Sequence, residues 1–427
     1  MISGETTERR DRAIREAVDG LRPAIIAALQ ELVRVPSQTG DEGAAQEVMA
    51  RMMRDHGLEV DVWEPDPETL APYAESVTLR DGFEGRPNVV GVLRGGGGGR
   101  SLILNGHIDT VEIGGEGAWS VPPLGATVSD GRLFGRGACD MKGGVIANLF
   151  ALRALRDAGF EPAGDVIVES TISEEDGGAG ALAAVLRGYV ADGALISEPT
   201  NLAIVVAQGG SLMFRLTVPG LSAHACVRDE GVSAVEKFAY VHRGLLDFEA
   251  RRNREIAHPL YAGMANKAPI NIGTVRAGSW PSSVPESLVA EGRAGLVPGE
   301  TLEGFKRQLA EEIATLTSAD PWLQDHPPRI EWREGQFAPA DVAVDAPLVQ
   351  TLRGAWQRTH GTDARVEAVT YGADMRHFVL VGGTPCVMFG AGDVRLAHAP
   401  NESIPLDDLF TAVTTTAVFI ADWCGVR

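Results

Sequence analysis

Cysteine is scarce in this chain. The 427 residues include four, at positions 139, 226, 386 and 424, with no paired spacing. That excludes a disulfide scaffold and points to reduced thiols in a cytoplasmic protein. No apolar run approaches the ~20 residues needed to span a bilayer. The N-terminal segment MISGETTERRDRAIREAVDG has no apolar stretch of the kind a secretory signal carries. Basic residues are few: Lys and Arg total 38 against 58 Asp and Glu, a net charge of −20. This argues against nucleic acid and against an anionic membrane as partners. A glycine run at 95–99 lacks the Lys-Ser/Thr of a phosphate loop and lies between two strand-like segments, so a flexible hairpin turn is expected there. What the chain does have is length for two or three domains and 44% apolar residues for a large core.

Its most informative feature is a set of β-rich segments that each end on a metal-binding type of side chain. SLILNGHIDTV carries His107 and Asp109, and RLFGRGACDMKGG carries Asp140. DVIVESTISEEDGG carries Glu174 and Glu175, GALISEPT carries Glu198, and PCVMFGAGDVRLAHAPNE carries His398. In open α/β sheets ligands bind beyond the carboxyl ends of the strands, so these side chains are expected on one rim. Two imidazoles with several carboxylates suit zinc, or cobalt or manganese; an all-oxygen set would suit magnesium or calcium. There are too many ligands for one tetrahedral ion, and two ions sharing a carboxylate is a natural arrangement for hydrolysis. His107 and Asp109, two apart on a strand, point to one face.

Strands and helices alternate up to Glu198, which predicts an α/β fold: a mixed, mostly parallel sheet sandwiched by helices. After Leu202 the pattern changes to strands and two long helices, VSAVEKFAYVHRGLLDFEARRNR and LEGFKRQLAEEIATLTS. This predicts an inserted α+β domain with an antiparallel sheet over 203–321. The catalytic domain is then discontinuous, over 1–202 and 322–427, and the segment AIVVAQ falls in the insertion.

The motifs GHIDTV, GRGACDMKGG, SEEDGG, SEPT and AHAPNE, in this order, resemble the M20 metallopeptidases and deacylases from about Ala27 to the C-terminus. The resemblance implies that His107 and Glu198 hold one metal, that Glu175 and His398 hold a second, and that Asp140 bridges both. It implies Glu174 as general base, with Asp109 accepting the free N–H of His107. It also implies a cis Asp140–Met141 peptide and an insertion that forms a homodimer. In VPGLSAHAC it implies His224 as an oxyanion stabiliser. GADMRHF matches an Asp-x-Arg of relatives through Asp374 and Arg376, which makes Arg376 a substrate-carboxylate fork. One departure stands out in SSVPESLVAEGRAGLVPGE. Ser282 replaces a usual Asn and Gly295 a usual Arg, with Arg293 nearby on the same strand face as a substitute.

The expected activity is metal-dependent hydrolysis of an amide C–N bond in a small N-acylated substrate. Water activated by the metal pair attacks, and Glu174 moves the proton to the leaving amine. The alternative within the fold is an aminohydrolase or deformylase acting on an aromatic or heterocyclic amine. A binding protein with a dead site is opposed by the presence of Glu174.

Overall fold

The computed structural model describes residues 4–79 and 82–427. The chain divides into two units. One comprises Met1–Val206, Asp341–Glu367 and Ala373–Arg427; the other comprises Ala207–Ala340 and Ala368–Gly372. The elements begin with α1 (Gly4–Arg34), α2 (Gly43–Asp55), β1 (Glu59–Trp63), α3 (Pro67–Leu70), β2 (Asn88–Leu93) and β3 (Leu102–His107). Next come β4 (Thr127–Ser129), β5 (Arg132–Phe134), α4 (Gly143–Asp157), β6 (Val166–Thr171), α5 (Ala179–Arg187), β7 (Ala194–Ile196) and β8 (Ile204–Gln208). They continue with β9 (Gly210–Pro219), α6 (Ala234–Glu255), β10 (Ile270–Ala277), β11 (Ser287–Leu296), α7 (Leu302–Ser318), α8 (Pro321–Asp325) and β12 (Arg329–Trp332). The last are β13 (Ala340–Asp341), α9 (Pro347–His360), β14 (Val366–Val369), β15 (Cys386–Met388), β16 (Ser403–Pro405) and α10 (Leu406–Cys424).

The first unit is organised by a mixed sheet in the order β1-β2-β6-β3-β7-β15-β8. Its centre is parallel: β3 pairs with β6 and β7, and β7 with β15. β1, β2 and β8 join antiparallel. Every residue of β3, β6, β7 and β15 is buried, as expected of parallel strands covered on both faces. The helices α1, α4, α9 and α10 pack on one another, while α2 packs on β1 and β2. Among the described residues no helix is long and apolar enough to cross a membrane.

Helix α4 can begin tight against β7 because its second residue is glycine. A Cβ on Gly144 would collide with the Ser197 carbonyl. The glycine run at 95–99 is not a hairpin turn. β2 and β3 both pair with β6, one on each side, so they are not neighbours. The segment between them crosses the end of β6, with the Gly96 and Gly97 N–H groups donating to Pro162 and Ala163 carbonyls at 3.2 and 2.8 Å. A Cβ on Gly99 would strike the Cys424 carbonyl. Glycine serves close backbone approach there, not turn flexibility.

The second unit is a four-stranded antiparallel sheet, β10-β11-β9-β12, with α6 and α7 packed on it. Alternate residues of β9, from Leu212 through Phe214 and Leu216 to Val218, are buried in a core with Leu245, Phe248, Phe305 and Leu309. Its boundaries differ from those expected at 203 and 321. β8 belongs to the large sheet through its pairing with β15, so AIVVAQ mostly stays with the first unit. Pro321 does not end the insertion; it opens α8, which Asp320 caps by accepting the Trp322 and Leu323 N–H groups. β12 then adds to the sheet beside β9. The unit runs on to Ala340 and takes in Ala368–Gly372 as well.

Candidate metal centre

Parallel strands of one sheet end on the same side, and this gathers most of the ligand-type side chains. His107 is the last residue of β3, and the Ser173–Glu175 turn follows β6. Glu198 follows β7, and the loop after β15 leads to His398. Asp140 arrives differently from the strand-end expectation. It follows β5, which belongs to a separate three-stranded sheet β16-β5-β4, and sits in an irregular turn just before α4. The Asp140–Met141 peptide is cis.

Two groups of side chains meet there and share Asp140: His107, Asp140 and Glu198, and Asp140, Glu175 and His398. Within each group the candidate ligand atoms all lie within 4.8 Å of one another. His107 Nε2 is 3.1 Å from Asp140 Oδ1 and 4.0 Å from Glu198 Oε1. His398 Nε2 is 3.5 Å from Asp140 Oδ2 and 3.0 Å from Glu175 Oε2. Oxygen and nitrogen ligands lie at roughly 2.0–2.2 Å from a zinc-like ion, so two ligands of one ion are at most about 4.4 Å apart. All four separations meet that limit. The donor set fits a pair of divalent cations in chemistry as well as spacing.

The electrostatics agree with a site made for positive charge. Burial pushes Glu198 up to about 8, with nearby Asp140 adding to it and His107 opposing. Burial also raises Glu174 and Glu175. His398 is pushed up to about 10 by its contacts with Asp140 and Glu175. Burial works against ionisation of Asp140, but hydrogen bonds to both histidines hold it below the usual carboxylate range. Carboxylates here outnumber the imidazoles that face them, and cations at the triads would oppose the upward shifts.

Asp109 does more than accept from His107. The His107 Nδ1 lies 2.9 Å from the Asp109 backbone carbonyl and 3.5 Å from its carboxylate, so the carbonyl is the better acceptor. That bond leaves Nε2 toward the triad, as metal-binding imidazoles require. The Asp109 carboxylate instead accepts the N–H groups of Glu174 and Glu175, both at 3.1 Å, and the Thr39 hydroxyl at 3.0 Å. It therefore holds the glutamate turn.

Arg376 and Asp374 are interior residues. Arg376 is 2% exposed, and its Nη1 and Nη2 donate to the Ala373 and Gly177 carbonyls at 2.7 and 2.6 Å. Its fork is engaged by backbone, which opposes the carboxylate-clamp expectation. Asp374 is 1% exposed, is pushed up to about 6 by burial, and lies against Gly178. His224 and Arg293 belong to the second unit. His224 is exposed, and its Nδ1 accepts the Cys226 N–H at 3.2 Å. The Ser282 carbonyl accepts the Ala225 N–H at 2.9 Å, next to His224. Arg293 is half-buried, and its Nη2 donates to the Thr370 carbonyl at 3.3 Å. Gly295 is buried and packs on Ala268 and Pro269. Cys139 is buried, and neither triad includes it.

Sequence reasoning missed the residues that brace the site. Arg86 is buried, donates to both Glu42 oxygens at 2.7 Å, and also reaches the Ser173 hydroxyl beside Glu174. Glu402 grips the Asp140 turn. Neither has local signature beyond charge, although Glu402 closes the AHAPNE motif.

The chain is 29% identical over 436 residues to an N-formyl-4-amino-5-aminomethyl-2-methylpyrimidine deformylase of Halalkalibacterium halodurans, covering 96% of both. It is 30% identical over 354 residues to an acetylornithine deacetylase of Myxococcus xanthus, covering 82% of this chain and 87% of that protein. Human carnosine dipeptidase 1 shares the fold at a TM-score of 0.74 and 15% identity, over 97% of this chain and 98% of that one. The family model described as Peptidase family M20/M25/M40 matches residues 103–422, and the chain belongs to that family of metal-dependent hydrolases.

Proposed function

We propose that the chain hydrolyses the amide C–N bond of a small N-acylated amine, with an acyl group as short as formyl, and needs no carboxylate on the substrate. The observation that supports this reading most is the pair of triads sharing Asp140, with Glu174 adjacent to Glu175 on a turn held by Asp109. His107 and Glu198 would hold one cation, Glu175 and His398 the other, and Asp140 both. When bound, such a pair supplies Lewis acidity toward the carbonyl and lowers the pKa of water. Glu174 takes the proton from the attacking water and delivers it to the amine nitrogen as the C–N bond breaks. The products are a carboxylic acid and an amine.

The substrate class rests on Arg376. A buried guanidinium whose two Nη atoms each donate to a backbone carbonyl is poorly placed to clamp a substrate carboxylate. A neutral amine is then the better fit, in line with the heterocyclic substrate in the name of the deformylase relative. The test is a panel of N-formyl, N-acetyl and N-succinyl compounds with neutral aromatic amines on one side and amino acids on the other. The highest kcat/KM is expected on a neutral N-formyl or N-acetyl amine. Turnover confined to acyl amino acids would sink the substrate reading and return attention to Arg293.

A homodimer is expected through the second unit. β10 ends its sheet, and most of its residues are exposed, with Val275 at 50%. Open edges are commonly paired or covered, and like edges meet isologously about a two-fold axis. Sedimentation at assay concentration should give twice the chain mass; a fully active monomer would count against it. The four unpaired cysteines suit a reducing cytoplasm.

A further inference from the structure

We infer that Glu402 is a positioning residue for the shared carboxylate of Asp140, tying the turn that carries Asp140 to the loop that carries His398. The inference rests on the proposed role of Asp140. Glu402 is 1% exposed, and its carboxylate is filled by four donors. Oε1 accepts the Cys139 N–H at 2.9 Å and the Asp140 N–H at 3.0 Å. Oε2 accepts the Gly137 N–H at 3.1 Å and Arg136 Nη1 at 2.7 Å. Three of the donors are backbone groups of the turn itself, so the bonds define where its peptide planes point. The Glu402 carbonyl also accepts the Gly135 N–H at 3.0 Å, and β16 pairs with β5 immediately beyond.

The physical consequence follows from sharing. A ligand to one ion can adjust its side chain to suit that ion. A carboxylate common to two ions must suit both, so its backbone has less room to move. Glu402 lies four residues beyond His398, a member of the second triad. The opposite side of the turn is pinned by the buried Lys142, whose Nζ donates to the Leu32 and Val35 carbonyls at 3.1 and 2.7 Å. One carboxylate thus connects the ligand before α4 with the ligand after β15, and its loss is expected to loosen both cations together.

Glu402→Gln is the direct test, because it keeps shape and hydrogen-bonding reach. The amide oxygen can serve only one pair of donors, and the amide NH2 then faces the other pair. Titration of the full-length metal-free protein with Co²⁺, followed by the visible spectrum and by ion stoichiometry, should show affinity lowered about 10- to 100-fold at both sites, the range for partners that orient metal ligands. The melting temperature in chelator should change much less than that in metal. If Glu402→Gln does not fold, Glu402→Asp carries the test; it keeps the charge but shortens the reach, and its loss should run in the same direction. Parental Co²⁺ affinity in a folded variant would overturn the inference, as would an equal drop in melting temperature with and without metal. Asp140→Asn run alongside separates the two readings. If it too binds two ions like the parent, the role of Asp140 itself fails; if it loses them while Glu402→Gln does not, only the role of Glu402 fails.

Discussion

Glu174→Gln is expected to lower kcat by roughly 10²–10⁴-fold, the contribution of a positioned general base, with two cations still bound. The substitution is nearly isosteric and removes the one property the step needs, a carboxylate able to take and release a proton. The neighbouring side chains should hold position, because the turn is fixed through backbone groups. The Glu174 and Glu175 N–H groups bond to Asp109, the Gly177 N–H to the Glu174 carbonyl, and the Gly178 N–H to the Ser173 carbonyl. KM should change little, since the loss falls on the chemical step. Steady-state kinetics beside metal analysis decides the matter. A variant that keeps its metal and retains near-parental kcat would assign the proton transfer to another group.

Removal of metal is expected to abolish turnover, and Zn²⁺, Co²⁺ or Mn²⁺ should restore it. The triads gather the carboxylates of Asp140, Glu175 and Glu198 around two histidines, an excess of acid that bound cations would balance. Dialysis against chelator followed by addition of each ion measures both loss and recovery. Stability should follow the same course. An ion that binds only the folded chain stabilises it by RT ln(1 + [L]/Kd), about 4.1 kcal/mol at 1,000 times Kd. The melting temperature should therefore rise with metal concentration. Full turnover in a preparation verified metal-free would refute the metal-dependent mechanism for this chain, and a flat melting temperature would place the ions outside the triads.

The braces around the triads explain why so little of the site's support is visible in the chain. Arg86 reaches Ser173 across 87 positions and Glu402 reaches Cys139 across 263. No local pattern marks a carboxylate that will cap a turn so far away. Charge and motif neighbourhood suggested ligands; they did not suggest what would hold the ligands' backbone.

Strand periodicity and the residues at strand ends were enough to predict the α/β fold and the ligand-type residues. They suffice because parallel strands covered on both faces are rich in apolar residues and because the carboxyl end is where the chain turns out of the sheet. The gathering of Glu175, Glu198, His107 and His398 was legible for that reason. The domain limits were not, since a proline such as Pro321 can open a helix as readily as end a domain. Nor was the glycine segment at 95–99, because the same residue type serves a free turn and a crowded crossing. The inward turn of Arg376 was equally hidden: a guanidinium looks the same in sequence whether its partner is a substrate or the carbonyls of Ala373 and Gly177. Those choices are made by packing, where backbone carbonyls far apart in sequence compete for the same donor, and only the folded chain settles which one it meets.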